Sequence, residues 1–207
     1  PVLEDVSFEI APGETVAVVG ATGAGKSTLV NLLLRFYDPT AGRVTLDGID
    51  LAELEPAALR GRTGLVLQED FLFAGSVRDN LVLDRPWVSD ALLARALEAS
   101  RAGPLVARLP GGLDGLVAER GATLSTGERQ LLAMARALAG DPELVILDEA
   151  TASVDSATEA EIEAATKNLL ANRSALVIAH RLSTVRRADR ILVMHRGRLR
   201  EQGKHKE

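Results

Sequence analysis

The chain has 207 residues, 46% of them hydrophobic, which is enough for one sizeable core with a small satellite subdomain. Its formal net charge is -5, which argues against a surface built mainly to hold nucleic acid. It has no cysteine, so disulfides, thiol catalysis and thiolate metal sites are excluded.

The opening residues, PVLEDVSFEI, alternate apolar and polar side chains as a half-buried strand does, and carry acids where a signal peptide would be basic. A turn at Ala11-Pro12-Gly13-Glu14 leads into TVAVV, the composition of a buried strand. Residues 20–25 are too glycine-rich to continue it, and residues 26–36 (KSTLVNLLLRF) have helical spacing. Residues 43–51 read as a hairpin turning at Asp47-Gly48, and residues 63–67 as another buried strand. Residues 88–109 are helix-rich, broken at Gly103-Pro104, and residues 125–139 form a strong helix. Residues 144–147, 175–178 and 191–194 are short apolar strands, separated by helical patterns at 156–170 and 183–187. This alternation predicts an α/β fold with a mostly parallel sheet covered on both faces. The stretch between the strands at 63 and 144 is too long for a simple crossover and predicts a helical subdomain over about residues 70–140 of a single domain. No apolar run approaches the ~20 residues that span a bilayer, so direct membrane insertion is not expected. The chain begins at Pro1 without a methionine and reads as a piece of something longer.

Gly20-Ala21-Thr22-Gly23-Ala24-Gly25-Lys26-Ser27, followed by Thr28, fits G-x-x-x-x-G-K-[ST] between a strand and a helix. Glycines let backbone N–H groups turn inward around phosphate oxygens, at a helix N-terminus that itself favours anions. Lys26 would supply positive charge to the β- and γ-phosphates, and the Ser27 hydroxyl is placed to ligate Mg²⁺. LVILDE at residues 144–149 delivers two acids from a buried strand. Asp148 is the expected Mg²⁺ holder, and Glu149 is expected to face the γ-phosphate as general base.

Leu124-Ser125-Thr126-Gly127-Glu128-Arg129-Gln130 closely resembles LSGGQ, the signature of ATP-binding cassette (ABC) ATPases. Gln68 in LVLQED, Ser153-Val154-Asp155 and His180 in LVIAHR follow that family's order and spacing. The resemblance covers nearly the whole chain. It implies a phosphate-loop, RecA-like parallel-sheet core with an N-terminal antiparallel β subdomain and a helical subdomain. It also implies a transmembrane domain upstream, outside this chain, and a place at the cytoplasmic face of the cell membrane. Two such domains are expected to pack head to tail around ATP. Ser125, Thr126, Gly127 and Glu128 would meet the nucleotide of the partner chain, and Asp155 would cross the interface. His180 would hold the γ-phosphate. Gln68 would touch Mg²⁺ or the attacking water.

The signature departs from LSGGQ at Thr126 and Glu128. Ser125-x-x-Glu128 is a capping box, which accepts either Glu or Gln, so the helix start survives. A carboxylate beside a triphosphate adds repulsion, however, and Thr126 restricts the backbone. A pairing with an unlike partner is therefore an expectation beside the homodimer.

FLFAGSVRDNL at residues 71–81 and Ala118-Glu119-Arg120-Gly121 resemble the exporter branch, where the membrane domain docks. Phe71, Leu72 and Phe73 are candidates for an apolar docking patch or for core. The competing reading is a soluble ABC ATPase of repair or translation. Repair types carry a coiled coil between cradle and signature, and only about a hundred residues separate Lys26 from Ser125. A phosphate-loop kinase would lack the signature. The family's adenine-stacking aromatic, shortly before the first strand, has no counterpart here, so weakened base discrimination is expected.

Overall fold

The computed structural model describes residues 2–68, 71–149 and 155–205. Strand β1 (Thr15–Val19) enters the glycine loop and leaves it as helix α1 (Lys26–Leu33). The hairpin β2 (Thr45–Leu46) and β3 (Ile49–Asp50) turns at Asp47 and Gly48. Their φ values of 52° and 82° are the paired positive angles of a type I′ turn. Helix α2 (Pro56–Gly61) and β4 (Thr63–Val66) follow. Next come β5 (Gly75–Ser76), α3 (Val77–Val82), α4 (Asp90–Ala99), α5 (Gly103–Arg108), β6 (Leu116–Val117) and α6 (Thr126–Ala139). The chain then alternates β7 (Leu144–Asp148), α7 (Ser156–Leu170), β8 (Ser174–Ile178), α8 (Leu182–Arg187) and β9 (Arg190–His195), closing on β10 (Arg198–Gly203).

Six strands form one sheet in the order β10-β9-β1-β8-β7-β4. All neighbours are parallel except β10, which returns antiparallel on β9 at the edge. Side chains of period two divide the sheet between two cores. Val16, Val18, Ile146, Leu176 and Ile178 pack with Leu29, Val30 and Leu34 on the α1 face. Ala17, Val145, Leu147, Ala175 and Val177 pack on the opposite face with α6 and α7, through Leu132, Met134, Ala135, Ile162 and Leu169. That second core runs on without a break into α3, α4 and α5 through Val77, Leu81, Leu93 and Leu105.

Two local expectations change. Residues 2–10 form no strand. Their alternation instead buries Leu3, Val6, Phe8 and Ile10 against the α1-side core, with one backbone bond from Glu4 N to Gly197 O at 2.8 Å. Among the described residues the separate antiparallel strands are therefore the hairpin β2–β3 and the short β5–β6 pair. Gly103-Pro104 opens α5 rather than breaking a helix, because proline is tolerated in a first turn where its missing N–H has no intrahelical partner.

Candidate functional site

The register of the sheet assembles the site. Val18, Ile178 and Asp148 stand side by side on β1, β8 and β7, and Val66 of β4 pairs with Leu147. The chains leaving these strand ends carry Gly20, His180, Glu149 and Gln68 to one edge of the sheet. Ligands of open α/β sheets bind at this carboxyl edge.

The loop at Gly20 to Gly25 is bent as its glycines allow. Gly23 lies at φ 80° and Gly25 at φ 101°, a conformation costly for other residues. Gly20 lies against the Met194 carbonyl of β9, leaving no room for a Cβ. Ala24 and Gly25 are buried, whereas Ala21, Thr22, Gly23 and Ser27 face outward and Thr28 is half-buried. No side chain caps the N-terminus of α1, so the N–H groups of its first turn are not taken up by a side-chain cap. Lys26 is only 9% exposed, and its ammonium donates to the Gly20 carbonyl at 2.7 Å and the Ala21 carbonyl at 3.1 Å. The loop's own oxygens thus hold the cation.

Asp148, at the end of β7, is half-buried. Burial pushes its carboxyl above the ordinary aspartate range, and the charges of His180 and Lys26 act in the opposite direction. His180 and Gln68 are exposed at the same edge. With the Ser27 hydroxyl, these groups offer carboxylate, amide and hydroxyl oxygens, the hard donor set that suits Mg²⁺.

Glu149 takes the other direction. Consecutive strand residues point to opposite faces, so Asp148 shares the α1 side with Ile146 while Glu149 shares the other side with Leu147. Its carboxylate is 6% exposed. Oε2 accepts from the backbone N–H groups of His180 at 2.9 Å and Arg181 at 2.8 Å, and Oε1 accepts from the Thr184 hydroxyl at 2.6 Å. The expectation that Glu149 faces the phosphate edge does not describe this arrangement.

The signature forms the start of α6. Ser125 Oγ accepts from Glu128 N at 3.2 Å, and Glu128 Oε2 accepts from Ser125 N at 2.8 Å, closing the expected capping box. Glu128 Oε1 receives Arg108 Nη2 at 2.7 Å, so the carboxylate is not a bare charge. The Ser125 amide, helped by Arg108, holds it below the usual carboxylate range. Arg129 donates to the Leu124 carbonyl at 2.8 Å and to the Thr126 hydroxyl at 3.1 Å, which fixes the replaced glycine position. Gly127 is buried against the Thr158 methyl of α7. Asp155 caps α7, accepting from Ala157 N, Thr158 N and the Thr158 hydroxyl, the last at 2.6 Å. Ser153 and Val154 lie outside the described residues.

The two exporter-like segments meet. Arg120 N donates to the Leu72 carbonyl at 2.9 Å. Leu72 belongs to the core, while Phe71 and Phe73 are exposed on either side of it, their rings 5.0 Å apart in an edge-to-face pair. Sequence reasoning missed Arg108 and Thr184. Neither belongs to a motif, and only the tertiary fold brings each to its carboxylate.

The ABC transporter family model matches residues 3–152. The chain is 49% identical over 205 residues to an ATP-dependent lipid A-core flippase of Chromobacterium violaceum, covering 99% of this chain and 35% of that protein. It is 45% identical over 207 residues to a fatty acid ABC transporter ATP-binding/permease protein of Mycobacterium bovis, covering 100% of this chain and 33% of that one. A solved bacterial Atm1-family ABC exporter with ATP bound superposes with a TM-score of 0.88 at 43% identity, over 99% of this chain and 36% of the exporter chain. The chain thus spans about a third of the length of these relatives. No helix among its described residues is long and apolar enough to cross a membrane. A phosphate loop, an acid-tipped strand and a signature helix on one mostly parallel sheet agree with these matches: the chain belongs to the ABC transporter family, whose ATP-binding domain it represents.

Proposed function

We propose that this chain is the motor domain of an exporter, binding and hydrolysing ATP at the cytoplasmic face of a membrane as one half of a head-to-tail dimer. The observation that carries the reading is the carboxyl edge of the sheet, where the uncapped start of α1, Lys26, Asp148, His180 and Gln68 converge. Lys26 and the backbone from Gly20 to Thr28 bind the triphosphate. Ser27, Asp148 and Gln68 would hold Mg²⁺, which when bound offsets phosphate charge. His180 orients the γ-phosphate. Glu149 takes the proton of the water that attacks it, giving ADP and inorganic phosphate.

The other half of each site comes from the partner: Ser125, Thr126, Gly127 and Glu128 at the start of α6, and Asp155 at the start of α7. The partner is a second ABC nucleotide-binding domain, of the same or another chain. Phe71 and Phe73 offer an exposed aromatic pair to the transmembrane domain of the same transporter, next to the Ala118–Gly121 segment. That the named relatives are flippases, permeases and exporters supports this placement.

The test is ATP-dependent association of wild type and Glu149→Gln, followed by size-exclusion chromatography. Glu149→Gln should keep ATP affinity, lose about 100-fold or more in turnover, and accumulate as an ATP-bound dimer. A variant that hydrolyses normally and stays monomeric overturns the assignment of the base.

A further inference from the structure

A general base must present a lone pair to water on the phosphate side. Glu149 does the opposite in this structure. Strand parity sends it to the face away from α1, where it is 6% exposed and meets three donors, two from the β8–α8 connection and one from α8. Two are backbone amides, which no side-chain change removes. The third is the Thr184 hydroxyl at 2.6 Å, from a residue that is itself 9% exposed. The Arg181 guanidinium stands further off, its Nε 3.9 Å from Oε1, and its Nη1 reaches Glu159 of α7 at 3.3 Å. Among the described residues the charged groups ion-paired around the carboxylate are Arg181 and, behind it, Glu159.

We propose that Thr184 is a positioning residue that stores Glu149 off the phosphate edge, so that the carboxylate must leave this hydroxyl before it can take a proton from water. The proposal rests on the reading of Glu149 as the base. The hydroxyl competes directly with the water for Oε1, and a hydrogen bond to an ionised acceptor is among the stronger ones a side chain makes. Threonine also suits storage. Its β-branched side chain has few rotamers, so the donor stays aimed once α8 is packed. Arg181 ties the stored carboxylate to α7, whose N-cap is Asp155, so a displacement of α7 by a partner bears on the same contact.

The test compares Thr184→Val, which keeps the shape and removes the hydroxyl, with Thr184→Ser, which keeps the hydroxyl. Steady-state ATP hydrolysis of the purified protein is measured for each, together with melting temperature. Thr184→Val should raise unstimulated kcat by about 3- to 10-fold with KM for ATP within about twofold, and Thr184→Ser should match wild type. If the valine variant fails to fold, Thr184→Ala carries the same expectation. A kcat at or below wild type overturns the proposal, because the hydroxyl would then be idle or would aim the base for catalysis. Equal acceleration by the serine variant also overturns it, since packing rather than the donor would be responsible. Glu149→Gln, run in parallel, separates the two readings. If it hydrolyses ATP normally, the base assignment fails. If it is inactive and Thr184→Val is not faster, storage alone fails.

Discussion

Two helices of this chain begin at positions associated with nucleotide, and they begin in different ways. Helix α1 starts from Gly25 in the left-handed region, with no side-chain cap. Helix α6 starts from Ser125 with a closed capping box and Arg108 on its carboxylate. Both ends carry the partial positive charge of the helix and its unpaired N–H groups. At α1 the chain withholds its own side chains from those groups, and the loop's nearest cation rests on loop carbonyls. At α6 the Glu128 amide is already satisfied by the Ser125 hydroxyl. The first end has no side-chain cap, which suits the ligand proposed for it. The second is built to keep its shape without one, and what it presents outward is a preset surface.

The comparison breaks most sharply at Lys26. On the proposed function its ammonium would exchange two carbonyl contacts for phosphate oxygens, so Lys26→Ala should weaken ATP binding by about 100-fold or more, read by nucleotide titration. The fold should stay intact, since the contacts removed are within the loop itself. Near-normal affinity would mean that the backbone cradle alone carries the anion.

A smaller effect is expected at Gly127. A Cβ there runs into the Thr158 methyl, and Thr158 cannot simply turn away because its hydroxyl is bonded to Asp155 at 2.6 Å. Alanine gains roughly 1 kcal/mol of helix propensity, and overpacking costs about 1–3 kcal/mol. Gly127→Ala should therefore lower stability by up to about 2 kcal/mol, or up to roughly 8 °C in melting temperature. Adding Thr158→Ser, which removes the methyl and keeps the hydroxyl, should restore most of the loss. Failure to restore it would place the strain elsewhere in α6.

The difference between the two helix starts was partly legible. GATGAGKST between a strand and a helix fixes the cradle, because only a glycine-rich loop can turn its N–H groups inward there. The capping box at Ser125 and Glu128 is a local pattern, legible from two residues three apart. The alternating buried strands gave the parallel sheet. Alternation at residues 2–10 reported burial correctly but not pairing, since a packed extended segment and a strand leave the same pattern. Strand β10, RLREQG, is polar at the edge of the sheet and has no such pattern to betray it. The direction of Glu149 follows from parity, because neighbours on a strand face opposite ways, whereas the motif alone does not separate the two acids. The partners that hold Glu149 and Glu128 lie 35 and 20 residues away, and no local rule reaches that far.

The smallest expected effect concerns Arg108. Its ion pair with Glu128 is solvent-facing, with the arginine side chain 69% exposed, so it adds under about 1 kcal/mol to folding. Its consequence for the proposed interface is electrostatic. Arg108→Ala leaves the Glu128 carboxylate uncompensated where a partner's triphosphate would approach, and should weaken ATP-dependent dimerisation by about 2- to 5-fold. Glu128→Gln removes the same charge while keeping the capping box, so it should cancel the effect of Arg108→Ala in the double variant. The pH dependence has a defined sign. The carboxyl of Glu128 is held below its usual range, first by the Ser125 amide and also by Arg108, so its contribution to stability is present above the unfolded-state pKa and fades as pH falls through the folded one. The gap between wild type and Arg108→Ala should therefore close in acid and persist at neutral pH, and added salt should narrow it. A gap unaffected by Glu128→Gln would show that Arg108 acts through packing on α5, and the signature's carboxylate would then need no counter-charge.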